Sequence, residues 1–205
     1  MESMKQPEFI INPSLRLRTA HINVAWHQVA GGIIDREGEY LCASCRYIVD
    51  GHTVMIIVAD LPQIDIIYFP STDFNDTGIQ EWLRVTLRDH ITALAEKVLP
   101  ERVRYWLENK GLAGGGVVIK RLPKNVLGQC TYDNVIYLPP MLVIFRSDWI
   151  DGVILHEIAH FRHKHHRKPF WDHLSVLLGE DARHKDAKTD ICLAPYFPYY
   201  CFLMK

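Results

Sequence analysis

Three rhythms of apolar positions follow one another along the chain. Between residues 21 and 70 they fall in short runs rich in valine, isoleucine and tyrosine, the composition that suits a pleated, half-buried surface. EYLCASCRYIV and HTVMIIVAD flank Asp50-Gly51, a pair able to supply the positive φ angles of a two-residue turn, so this spacing predicts a β-hairpin. IDIIYF predicts a further strand, ending at Pro70. The polar run STDFNDTG, residues 71–78, marks the boundary between an N-terminal β-rich lobe, residues 1–76, and the remainder, residues 77–205.

From Ile79 the period lengthens. Trp82, Leu83, Leu87, Ile91, Leu94, Ala95 and Val98 recur at three- and four-residue spacing, which predicts an amphipathic helix over residues 79–99. Pro100 has no amide to donate and is expected to interrupt it, with a second helix over Glu101–Asn109 and Gly111 as a left-handed cap. Strands are expected over Val117–Arg121, Val126–Tyr132 and Val135–Leu138, the last two joined at Asp133-Asn134. Ser147 or Asp148 can cap the helix WIDGVILHEIAHFRH, and Pro169 suits the first turn of the next, PFWDHLSVLLGE. The aromatic tail from Ile191 contains prolines that forbid a long helix, and it is expected to pack back on the body. An α+β fold follows.

Composition narrows the class. With 205 residues, 48% hydrophobic and 23% charged, the chain can bury one substantial core. A net charge of −1, from 23 basic and 24 acidic residues, gives no global field toward nucleic acid or an anionic membrane. The opening MESMKQPEFIINPSLRLR lacks the plan of a signal peptide and no window reaches the length of a membrane span, so a cytoplasmic location is expected. Cys42, Cys45, Cys130, Cys192 and Cys201 are too scattered for a disulfide framework and are expected to be reduced. Cys42-Ala-Ser-Cys45 has the spacing of half a zinc knuckle, but no second pair completes it, and the expected role is structural.

The chemistry concentrates in residues 156–166, HEIAHFRHKHH. His156 and His160 lie one helical turn apart, so both imidazoles can reach one zinc ion, and Glu157 lies beside them where a general base can meet a water molecule. The surrounding Val153, Ile154, Leu155, Ile158, Ala159 and Phe161 make this an apolar helix and not a solvated basic one. A third ligand is needed. In an unbroken helix His163 is about 10 Å along the axis from His156, too far to share the ion comfortably. His166 serves if the helix ends after His163 and the chain folds back, giving H-E-x-x-H-x-x-x-x-x-H, although metzincins place a glycine where His163 stands. His165 and Asp172 stay open as alternatives, and His163, His165 and His173 otherwise read as polar surface or as groups that orient ligands.

Residues 156–171, HEIAHFRHKHHRKPFW, resemble the signature of the YgjP-like family of predicted zinc-dependent hydrolases, in which H-E-x-x-H is followed by a histidine and then by Phe-Trp, here His166, Phe170 and Trp171. Upstream, Gly128-Gln129-Cys130 falls where that family has a Trp-Gly-Ser-Cys run, from which Leu127 and Gln129 depart. The resemblance covers residues 79–180 and implies a minimal zincin-like metallopeptidase core, with a small antiparallel sheet packed on the H-E-x-x-H helix. It implies His156, His160 and His166 as Zn2+ ligands, Glu157 as the catalytic base, and a peptide or protein substrate. Such a substrate would lie in extended form along a sheet edge, for which Val135–Leu138 is the expected strand. Tyr196, Tyr199 and Tyr200 are possible oxyanion donors whose expected role is packing.

Two rival readings exist. The SprT-like and WLM-like proteases share the ligand spacing and act on proteins attached to DNA, and Arg162, Lys164, Arg167 and Lys168 are cations suited to phosphate. The near-zero net charge opposes that reading. A metal-stabilised, non-catalytic binding protein is the other, and Glu157 opposes it, because a structural zinc site needs four ligands and no base.

Overall fold

The computed structural model describes residues 9–30, 44–50, 52–123, 126–187 and 195–205. Cys42, Gly51, Cys192 and the first half of the expected hairpin strand lie outside the described residues, as does the start of the aromatic tail.

The early apolar runs form a five-stranded sheet of β1 (Leu17–Arg18), β2 (Asn23–Gln28), β3 (Ser44–Val49), β4 (His52–Asp60) and β5 (Gln63–Tyr68), in the order β1-β2-β5-β4-β3. β2 and β5 are parallel and the other neighbours antiparallel. Asp50 takes a φ of 49° between β3 and β4, the conformation its place in the hairpin requires. Alternation decides the faces of β5: Ile64 and Ile66 are fully buried, whereas Asp65 between them turns out and meets His27 Nε2 at 2.7 Å. Tyr47 of β3 lies against Trp82, with ring centroids 5.6 Å apart, joining this sheet to the long helix.

That helix, α1, runs from Thr77 to Asn109, and Asp76 caps it by accepting a hydrogen bond from the Ile79 amide at 2.9 Å. The interruption expected at Pro100 does not occur. Pro100 removes one backbone hydrogen bond, but Leu94, Ala95 and Leu99 before it and Val103 after it are all buried on the core side. Burial on both flanks holds the two halves in one helix against the cost of the proline. Gly111, with φ 62°, follows as expected.

β6 (Val117–Ile119), β7 (Gln129–Cys130) and β8 (Ile136–Leu138) form a second sheet in the order β6-β8-β7. β8 pairs parallel with β6 and antiparallel with β7, so this sheet is mixed and not antiparallel throughout. It also follows that Val135–Leu138 is not an edge: both sides of β8 are hydrogen-bonded to neighbours, and no extended substrate can add there. Asn134, with φ 61°, turns the chain between β7 and β8.

A buried 3-10 turn, Pro140–Ile144, leads to α2 (Ser147–Ala159). Arg146 occupies the cap position of α2, and neither expected capping side chain is used there. The Ser147 hydroxyl instead meets His21 Nε2 at 3.1 Å, and Asp148 pairs with Arg146. α2 also stops at Ala159, short of the expected His163. α3 (Lys168–Leu178) carries Pro169 in its first turn and ends at Gly179, whose φ of 75° is left-handed. α4 (Ala182–Ala187) and α5 (Phe197–Leu203) complete the described elements. Tyr199 meets Phe9 and Tyr200 stacks on Phe145 at 5.8 Å, so these tail residues pack. One hydrophobic cluster extends from Ile11 to Met204. Among the described residues no helix is long and apolar enough to cross a membrane.

Candidate active site

The last turn of α2 carries His156 and Glu157, and His160 caps its C-terminus with φ −66° and ψ −15°. The chain then tightens. The Phe161 amide donates to Ile158 O at 3.0 Å and the His163 amide to Ala159 O at 3.1 Å, which closes the last carbonyls of the helix. Among the described non-glycine residues only Asp50 and Asn134 have positive φ, so the turn after His160 needs no left-handed residue and therefore no glycine.

Lys164 anchors the turn. Its ammonium donates to Thr131 O at 2.8 Å and to Asn134 Oδ1 at 2.6 Å, binding the segment that leads to His166 onto the β7–β8 connection. On the other side of His166, the Trp171 indole N–H donates to the His166 carbonyl at 3.1 Å. Neither tether uses the His166 imidazole, which faces His156 of α2.

His156, His160 and His166 converge, with one potential ligand atom from each lying within 4.8 Å of the others. Nitrogen ligands of a tetrahedral zinc ion lie about 3.3 Å apart, so the donor set fits a single ion. His156 Nε2 and His166 Nε2 face each other at 2.9 Å, where one ring must donate the proton that the other accepts. A cation can replace that shared proton. His160 Nδ1 donates to His163 O at 2.9 Å, which fixes the tautomer and leaves its Nε2 bare for a ligand. Beneath all three rings lies Phe170, fully buried, with ring centroids 4.9 Å from His156 and 4.6 Å from both His160 and His166.

Burial and the neighbouring imidazoles lower the pKa of His156 to about 3. His160 is also lowered, chiefly by burial and against the pull of the His163 carbonyl. Both rings are thus held in the neutral form that binds metals. Glu157 is only 5% exposed, and burial pushes its carboxyl up to about 8, partly offset by a hydrogen bond from the Cys130 amide. Burial thus favours the protonated form of this carboxyl.

The other sequence candidates lie elsewhere. His163 packs edge-on against His173, with centroids 5.4 Å apart, and Asp172 pairs with Lys168 at 2.7 Å. His165 is not in the converging group. Two contributions escaped the sequence reading. In the sequence Lys164 reads only as basic surface and Phe170 only as part of a signature, since nothing in its spacing announces the face on which the imidazoles rest.

A family model for a YgjP-like metallopeptidase domain matches residues 37–188, more than half of the chain. No curated protein and no solved structure matches it.

Proposed function

Because the chain belongs to the YgjP-like metallopeptidase family, we propose that it hydrolyses peptide bonds in peptides or proteins, with Zn2+ held by His156, His160 and His166 and with Glu157 as general base. One observation carries this reading: a buried carboxylate lies on the same helix as two of three converging imidazoles. Three imidazole nitrogen donors without a carboxylate suit zinc better than magnesium or calcium, and they leave a coordination position unfilled by protein. When bound, such a cation polarises a carbonyl oxygen and makes water more acidic.

The chain's own residues supply the rest. Glu157 takes the proton of the attacking water at its carboxylate and returns it to the leaving amine. The Cys130 amide orients that carboxylate, while the His163 carbonyl and Phe170 fix the facing imidazoles. With β8 enclosed, the extended substrate belongs along β7, the strand that touches Glu157 through Cys130. The same proposal keeps residues 1–76 as an N-terminal β-rich lobe and residues 77–205 as the part that carries the catalytic residues, meeting at Asp76, the cap of α1; the hydrophobic cluster and the family match both run across that junction.

Glu157→Gln tests the proposal. The variant keeps the neutral shape of the side chain but cannot accept the proton, so zinc content should match wild type while peptide hydrolysis falls by about 100- to 10,000-fold. Hydrolysis within a few fold of wild type would remove Glu157 from the mechanism.

A further inference from the structure

Gly128 stands where Glu157 needs room. A Cβ at this position would lie 2.6 Å from Glu157 Oε1, 2.8 Å from its Cγ and 2.9 Å from its Cδ. Carbon atoms in ordinary contact sit roughly 3.5–4.0 Å apart. The three nearest atoms all belong to Glu157, so the conflict is with this side chain before any other.

The requirement is one of space. Among the described glycines only Gly111 and Gly179 have positive φ, and at both of them a Cβ would meet open space. Gly128 is the opposite case: its backbone suits any residue, but its surroundings do not. Glu157 cannot easily withdraw, because α2 fixes its backbone, the side chain is buried, and the amide of Cys130, two residues along from Gly128, holds its carboxylate. One short stretch of backbone therefore bounds this side chain twice, at the place a Cβ of residue 128 would take and at the Cys130 N–H.

We propose that Gly128 is a positioning residue for Glu157, its missing side chain being the space the carboxylate occupies. This rests on the reading of Glu157 as the general base. A methyl group at 128 meets the Glu157 side chain before any imidazole and pushes the carboxylate off its site. Misplacement of a reacting group by about 1 Å costs on the order of 100-fold in rate.

The test is a double-variant cycle with two readouts. Thermal unfolding of the metal-free protein compares wild type, Gly128→Ala, Glu157→Ala and the double variant. Gly128→Ala should lower the melting temperature clearly when Glu157 is present and much less when residue 157 is alanine. In the zinc-loaded protein, Gly128→Ala should keep metal content and KM while kcat falls by about 10- to 100-fold. Equal loss of melting temperature in both backgrounds, or an unchanged kcat, would overturn the proposal. If Gly128→Ala fails to fold, the double variant decides: recovered folding supports the proposal, and no recovery overturns it. Coupled melting in a wild-type protein that hydrolyses nothing would reject the peptidase reading and leave the packing of Gly128 on Glu157 standing.

Discussion

His156 Nε2 and His166 Nε2 face each other across 2.9 Å, although ten residues separate them in the chain. The contact exists because the turn after His160 folds the chain back over α2, and Lys164 holds that turn to the hairpin connection.

Lys164→Met should therefore loosen the segment that presents His166 while leaving the core intact. Metal affinity should fall by about 10- to 100-fold, the usual effect of losing a partner that orients a ligand. Competition against a chelating dye measures this, and unchanged affinity would mean that the turn holds itself.

Phe170 offers a sharper contrast between packing and charge. Replacing this fully buried ring by alanine removes the surface under three imidazoles and should cost about 3–5 kcal/mol of stability, with metal affinity falling as well. Phe170→Leu should cost less on both counts. Urea midpoints together with metal titration would check the pair.

Asp151 links α1 to α2. Its carboxylate accepts from Arg102 at 2.5 and 2.7 Å and from the Trp106 indole at 2.7 Å. Asp151→Ala leaves a half-buried guanidinium and an indole N–H without this acceptor, and it should destabilise the fold by about 1–3 kcal/mol. Because Asp151 lies five residues before His156 in α2 and faces α1, hydrolysis per zinc-loaded molecule should stay near wild type.

Histidines away from the site predict a pH dependence of folding. The pKa of His90 is lowered by burial, against a weaker pull from Asp89, and its Nε2 has no hydrogen-bond partner among the described residues. The pKa of His21 is lowered by burial and by Arg102. In the unfolded chain both take up protons near a pKa of about 6.5, while in the folded state they stay neutral to lower pH. Stability is thus fully present above that value and declines as pH falls below it. His90→Leu should flatten part of the decline, which urea midpoints at about pH 7.5 and about pH 5.5 would show. Parallel curves for variant and wild type would exclude His90 as a contributor.

How much of this was legible in the residues follows from the range of the forces involved. The one-turn spacing of His156 and His160 is a local property of helices, and the positive φ of Asp50 is a local property of a turn, so both could be read directly. The convergence of His166 was legible as an offset, but the early end of α2 at Ala159 was not, because it depends on closing hydrogen bonds within the turn. Pro100 misled for the same kind of reason, since buried residues on both sides outweighed its local preference. The enclosure of β8 depends on its parallel pairing with β6, a contact between segments that no periodicity joins. Gly128 against Glu157 is the clearest case: a glycine chosen for space looks, in sequence, like any other.

Metal analysis of the purified wild type beside His166→Ala and His163→Ala tests the central claim most directly. The expected result is about one zinc per chain in wild type and in His163→Ala, and little or none in His166→Ala. Zinc retained by His166→Ala and lost from His163→Ala would contradict the assignment of the three ligands.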